Sequence, residues 1–431
     1  MSKCSILPLA PTLRRALLAS ALLPLTAGAA AQEDVEDTDA HESSLTLPAM
    51  NVQGTQLPQS ETEGTGSYTT GSMSTAVGLP LSIRETPQSV SIVTRQQIED
   101  RGLRDTAAIL ASAPGISMSR SDSNRVSFSA RGFDIDNFQF DGLASPINNF
   151  WNFGATDVDS AIYDRVEIVR GSTGLLTGAG NPSAAVNFIR KRPLPEFAIG
   201  GSLGSGRWDQ RRGDIDVSTP LTADGRIAAR VVAAYSERDT FVDYQHYDSE
   251  TLYGVISAEL TPRTQLTLSL EHQKNDTDGM GAGVPMFYAD GSRTHYGRST
   301  ANNTQWSYFG TESNTAFIDL EHQLENDWTL RAAYSRTEAD YAMRYVFRGG
   351  YPERNNAGMS ASFLKYDGER TRDDWHLTGS GPFELLGRTH DAAFGWMSIA
   401  DDLQMDQYLP LPGTAPIADS QLDWSNGAMP S

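Results

Sequence analysis

The run "TQLTLSLEH", Thr264 to His272, puts Leu266, Leu268 and Leu270 at alternate positions with Thr267, Ser269 and Glu271 between them. A two-residue period gives a strand one apolar face and one polar face. The pattern recurs. Ala316, Ile318 and Leu320 alternate with Phe317, Asp319 and Glu321. Ile227, Ala229, Val231, Ala233 and Tyr235 interleave with Arg230 and Ser236, and Trp328, Leu330, Ala332 and Tyr334 with Thr329, Arg331 and Ser335. Each segment reaches ~9–11 residues, the length a tilted strand needs to cross a bilayer. Tyr235, Trp328 and Tyr334 fall at segment ends, as interfacial girdles require.

The alternation predicts about nine strands, near 197–204, 211–219, 226–238, 250–260, 265–275, 312–323, 328–341, 360–380 and 388–401. Their connections sort by parity. One set is short ("PLTADG", "TPRT", "ENDW", "GPFELLG"); the other is longer and polar, at about 238–250, 275–311 and 341–360. Short turns on one side and long loops on the other predict an all-β chain built as an outer-membrane antiparallel β-barrel. A soluble sandwich has no reason to sort its loops this way. The mean hydropathy of −0.39 fits a barrel as well as a soluble protein, because only every second strand residue faces lipid. An open nine-stranded sheet would leave two unpaired edges in lipid. The chain therefore reads as the front part of a longer protein or as a truncated gene product, with Leu403 to Ser431 a loop before a further strand.

The first 31 residues read as an export signal. Lys3, Arg14 and Arg15 precede the apolar "ALLASALLPLTAG", and Ala29 and Ala31 supply the small residues of a cleavage site before Gln32. The single cysteine, Cys4, lies inside this signal, so the mature chain has neither disulfides nor a thiolate metal site. The net charge of −20 argues against nucleic-acid partners. Residues 32–80 are acidic, then rich in Gly, Ser and Thr, which predicts a flexible tail. One apolar island, "LTLPAMNV" from Leu45 to Val52, breaks it as a candidate docking strand.

Residues 81–193 predict a compact α+β unit. Thr94 and Gln97 have capping-box spacing before "RQQIEDRG", and Asp105 can cap "TAAILASAPG". Short strands follow, ending with "DRVEIVRG" and "AAVNFIRK". Between these two lie Gly171, Gly174, Gly178, Gly180 and an Asn181-Pro182 corner. A phosphate cradle needs Gly-Lys-Ser/Thr after its glycines, and no lysine follows here.

Two stretches then carry a resemblance. "SFSARGFDIDNFQFDG" (127–142) and "YDRVEIVRGSTGLLTGAGNPSAAVNFIRKRP" (163–193) resemble the plug of TonB-dependent ferric-siderophore receptors, nearest the hydroxamate and pyoverdine-type group. The resemblance runs from about Leu47 to the end of the chain. It implies a plug folded inside a barrel of roughly 22 strands in the full-length protein, of which 194–431 is the first part. Arg131, Gly132, Phe133, Asp141, Gly142, Arg165, Glu167, Arg170, Gly171, Gly174, Gly178, Gly180, Asn181 and Pro182 are then structural plug residues. Glycines let the backbone approach the barrel wall closely. Arg165, Glu167, Arg170, Arg190, Lys191 and Arg192 are expected to pair with lumen-facing charges, holding the plug in one register.

The resemblance also implies transport. A ferric siderophore is captured at the cell surface and released inward when TonB, of the TonB-ExbB-ExbD complex, pulls on the tail. Thr46, Leu47, Pro48, Ala49, Met50, Asn51 and Val52 occupy the place of the TonB box, departing from the commoner Thr-Val ending. The interval from Gln32 to Thr46 is too short for a folded domain, so transport without transcriptional signalling is expected. Arg125 matches a plug-apex arginine that meets the anionic chelate. Phe150, Trp151 and Asn152 match the apical loop, and Tyr288 and Trp306 lie in the third outer loop. Iron is expected to be held by the siderophore, with no cofactor or protein metal site, since the seven histidines show no ligand spacing. Outer-membrane lipid is the remaining partner and the protein is expected to be a monomer. Haem, cobalamin or another metal chelate is the alternative ligand. A passive porin would need neither plug nor tail, and a β-class enzyme or lectin lacks any nucleophile elbow, phosphate loop or metal cluster in this sequence.

Overall fold

The computed structural model describes residues 61–146, 158–171, 181–355 and 358–408. Nine strands form one antiparallel meander in which each pairs with the next. They are β9 (Ala198–Ser205), β10 (Arg211–Pro220), β11 (Ile227–Asp239), β12 (His246–Thr261), β13 (Thr264–Asp278), β14 (Tyr308–Gln323), β15 (Thr329–Gly349), β16 (Ser360–Leu385) and β17 (Arg388–Tyr408). Several run past the expected ends, mostly toward the long loops; β17 continues to Tyr408 through residues read above as loop, and β16 extends to Leu385 on its short-turn side. β16 reaches 26 residues, more than twice what a bilayer crossing requires.

The two faces of this sheet have the polarity of a membrane barrel. Leu268 and Leu270 are 42% and 68% exposed, whereas Thr267 and Ser269 are 4% and 6% exposed. A soluble protein would invert that order. The register aligns Ile256, Leu268 and Ile318 across three strands, so the apolar residues form a continuous outer belt. At its short-turn edge, Trp328 donates its indole N–H to the Pro382 carbonyl and packs on Phe394, and Tyr334 packs on Trp375 at 4.4 Å. Among the described residues no helix is long and apolar enough to cross a membrane.

The plug is built on a five-stranded sheet in the order β1 (Ser89–Thr94), β7 (Tyr163–Arg170), β8 (Ala184–Arg190), β5 (Asn137–Phe140) and β6 (Leu143–Pro146). The β5–β8 pair is parallel and the others antiparallel. A smaller sheet joins β2 (Ile116–Arg120), β3 (Val126–Ala130) and β4 (Phe133–Asp134). The capping box forms: Thr94 and Gln97 exchange side-chain and backbone bonds at the start of α1 (Arg95–Asp100), and Asp105 accepts from the Ala108 amide at the start of α2 (Thr106–Ser112). Phe188 lies at the centre of the core, with Tyr163, Phe140 and Phe138 around it at 5.2, 5.4 and 6.5 Å.

The "ARGF" and "FDG" motifs are two-residue hairpin turns. Arg131-Gly132 (φ 55° and 84°) joins β3 to β4, and Asp141-Gly142 (φ 51° and 81°) joins β5 to β6. Positive φ at both central residues matches the right-handed twist of the flanking strands, and glycine at the second supplies it without strain.

One expectation is corrected. Residues 61–80, read as part of a flexible tail, are packed on the plug. Met73 and Ala76 bury against Ile92 and Val169, and Met73 bridges Leu81. Polar side chains do the rest of the fastening. Thr75 donates to Glu167 at 2.5 Å and accepts from Asn187 at 2.8 Å. A hydropathy reading does not register such bonds. The signal segment and Thr46 to Val52 lie outside the described residues.

Candidate functional site

The turn between β2 and β3 forms the plug apex. Asp122 is buried and accepts from the amides of Asn124 and Arg125, while the Arg125 guanidinium bonds its second oxygen at 2.6 Å. The Arg125 side chain remains about one-fifth exposed. The apex is then tied to its surroundings. The Ser123 amide donates to the Gly281 carbonyl at 3.0 Å, and the Gly281 amide donates back to the Ser123 hydroxyl at 3.2 Å. Tyr247 donates to the Ser123 carbonyl and Asn124 to Thr277. A Cβ on Gly281 would lie 2.5 Å from both the Asn302 carbonyl oxygen and the Asn303 Cβ, so only glycine permits this approach.

Gly281 opens the long connection 279–307, which holds Tyr288 and Trp306. Tyr288 forms a turn with Ser292 and lies under Arg354 at 5.9 Å; Trp306 packs on Phe363 at 5.7 Å. Between them Asp290 is held down at about 2 by the Ser292 hydroxyl and amide and by Arg354. Below the apex, Met280, Phe309, Met343, Tyr345 and Tyr366 make an apolar wall. Arg125 and the long loop are thus linked through Ser123 and Gly281, two residues that sequence reasoning passed over. The glycine-rich "GMGAG" at the loop's start was the available signal. Phe150, Trp151 and Asn152, and likewise Gly174, Gly178 and Gly180, lie outside the described residues. Asn181 donates to the Asp134 carbonyl, and Pro182 follows it just before β8.

The plug meets the barrel through charge. Arg190 bonds Asp141 on the plug at 2.7 Å and Glu271 on β13 at 2.8 Å. Lys191 reaches Asp216 on β10 at 2.8 Å, and Arg192 reaches Asp319 on β14 at 3.5 Å. Three consecutive cations therefore hold three wall strands, because successive residues of an extended chain point to opposite faces. Arg212 on β10 returns the contact with two bonds to Asp159, and Arg372 on β16 bonds Ser145 and the Ala144 carbonyl. Burial works against the Asp141 charge, but Arg190 and Arg192 overcome it and hold the carboxyl below its ordinary range. Burial and nearby Arg95 push the Lys191 amine down.

Arg165, Glu167 and Arg170 depart from the expected wall pairing. Arg165 bonds Asp164 and Glu167, both at 2.8 Å, and Arg170 bonds the Ser91 hydroxyl at 2.5 Å. Their strand β7 lies inside the plug sheet between β1 and β8, which places plug partners within reach. Gly171 (φ 117°) passes the Arg131 guanidinium so closely that a Cβ would lie 3.0 Å from it. Among the described residues no group of acidic, histidine or cysteine side chains could hold a metal ion.

Residues 82–185 match the family model of the TonB-dependent Receptor Plug Domain. The chain is 37% identical over 390 residues to the ferripyoverdine receptor of Pseudomonas aeruginosa, covering 90% of this chain and 48% of that one. Among solved structures it is similar to that organism's outer-membrane ferripyoverdine receptor bound to ferripyoverdine (TM-score 0.82, 36% identity, 86% of this chain and 50% of that one). It is also similar to the alcaligin outer-membrane receptor of Bordetella pertussis (TM-score 0.67, 53% identity, 81% and 53%). The chain spans about half the length of the curated relatives it matches. The lipid-facing strands and the similarity to outer-membrane receptors put the protein in the outer membrane of a Gram-negative bacterium. Over its plug and these nine strands, the chain belongs to the TonB-dependent outer-membrane receptors.

Proposed function

We propose that the protein captures a ferric siderophore of the hydroxamate or pyoverdine type at the cell surface. It passes the chelate to the periplasm with energy transmitted by TonB of the TonB-ExbB-ExbD complex. The observation that carries this reading is a folded plug fixed by charge inside a lipid-facing barrel. A passive pore has no use for such an obstruction, and an energised one requires it to be removable. The similarity to ferripyoverdine receptors favours the siderophore class. The protein is a receptor and not an enzyme.

In this reading the first 31 residues direct export, Thr46 to Val52 are gripped by TonB as an added strand, and the plug runs from residue 61 to about 193. Arg125, Phe150, Trp151, Asn152, Tyr288 and Trp306 form the ligand site. The siderophore carries the iron, the protein supplies no cofactor, and the working unit is a monomer in outer-membrane lipid. The test is a titration of intrinsic Trp fluorescence in the full receptor with ferrichrome, ferrioxamine, coprogen, ferripyoverdine, haem and cobalamin. Saturation by a siderophore is expected, and saturation by haem or cobalamin only would refute the assignment. Met50→Pro removes an amide from the docking strand; uptake should vanish while surface binding persists.

A further inference from the structure

The segment that enters the plug from the tail is fixed from two directions. On the plug side, the amides of Thr62 and Glu63 both donate to the Asp164 carboxylate, at 3.0 and 2.7 Å. The Thr62 hydroxyl donates to the Asp164 carbonyl and accepts from the Arg95 amide, each at 3.0 Å. On the wall side, the Glu63 carboxylate takes both terminal nitrogens of Arg230 on β11 at 2.6 Å. Arg230 also binds Asp216, which binds Lys191. Thr62 is 1% exposed and Arg230 is buried.

This fastening differs in kind from a core. Two-pronged arginine–carboxylate pairs and amide–carboxylate bonds are strong while geometry is kept. They act over short distances, and once parted each partner can hydrate without exposing apolar surface. Tension arriving from residues before 61 meets Thr62 and Glu63 first. Beyond them the same ionic ladder continues along β7, since Asp164 pairs with Arg165, Arg165 with Glu167, and Glu167 with Thr75. Lys191 belongs to the same cluster, 3.7 Å from Glu63 and 2.8 Å from Asp216, and the Arg192 carbonyl accepts from Arg230, while the Arg190 and Arg192 side chains reach β13 and β14.

We propose that Thr62, Glu63, Asp164 and Arg230 form a clasp that docks the tail against plug and wall, and that TonB engages productively only when the clasp is open. The proposal rests on the energised-receptor reading above and adds to it a built-in control of partner access. A docked tail lowers TonB's apparent affinity by the fraction of receptors in the open state. Glu63, Asp164 and Arg230 act through the tail's position and touch no ligand.

The test uses the full receptor in lipid nanodiscs. The single cysteine of these 431 residues is Cys4 in the export signal, so Ser60→Cys, with any cysteine beyond them replaced, carries one nitroxide on the mature protein. With the clasp intact the spectrum should show a restrained label. Glu63→Gln and Arg230→Gln should each give the sharp lines of a free tail, and the double variant should add little to either, as residues of one link must. Titration with the periplasmic domain of TonB, without chelate, should show roughly tenfold tighter binding to each variant. Thr62→Val keeps the shape and both charges, and should shift mobility and affinity the same way by a smaller factor. Unchanged mobility and affinity in Glu63→Gln and Thr62→Val, in receptors that still bind chelate, would overturn the clasp. A wild-type receptor that binds chelate but never the TonB domain would overturn the energised reading instead.

Discussion

The plug touches two parts of the barrel wall in two different ways. Against β11 and β12 the contact is largely dry: Val232, Ala234, Tyr253 and Val255 join the same apolar cluster as Phe188 and Ile162, with Arg230 and the Tyr253 hydroxyl as its polar margin. Against β13 to β16 the wall presents Thr311, Ser313, Thr315, Ser335 and Thr337 around a cavity of about 100 Å³. Contact there is confined to a few charged bridges, Arg190–Glu271 and Arg372–Ser145 among them, and to Leu143 on Phe317 and Ala333. Parting the dry side exposes apolar area at about 25 cal/mol per Å², whereas a hydroxyl surface is wetted at little cost. Seating and separability are therefore assigned to different strands of one wall.

That contrast can be broken by substitution. Arg190→Met leaves Asp141 and Glu271 as buried carboxylates without their cation, and should destabilise the seated plug by about 4 kcal/mol. Denaturant titration read by protease release of the plug measures it. A loss near zero would mean that the wet side is not held by charge. Val255→Ala removes two methyls from the dry side and should cost about 2 kcal/mol in the same assay. Ser335→Ala, on the hydroxyl carpet, should stay within about 0.5 kcal/mol. If Ser335→Ala cost as much as Val255→Ala, the two sides would not differ.

Much of this architecture is legible in the chain. The alternation at Leu266, Leu268 and Leu270 is enough to place a lipid face, because the bilayer forces one polarity on every strand. Thr94 with Gln97 and Asp105 foretell helix starts, since capping is local. What escapes notice depends on contacts distant in sequence. Thr62 finds Asp164 about a hundred positions away, and Ser123 finds Gly281 across the lumen mouth. A polar, glycine-rich segment such as 61–80 looks uncommitted because side-chain hydrogen bonds leave no periodicity. Arg165 and Arg190 look alike as charges on strands; only the sheet order, with β7 internal, separates a plug-directed arginine from one that reaches the wall.

Apolar side chains seat the plug on β11–β12, whereas water reaches it along β13–β16. Single cysteines at Val255 and Thr337, in a mature receptor with any other cysteine replaced, can be timed for reaction with a small water-soluble thiol reagent in intact outer membranes. Thr337→Cys should react quickly and Val255→Cys only when the plug is displaced by denaturant. Equal rates at the two positions would contradict the claim.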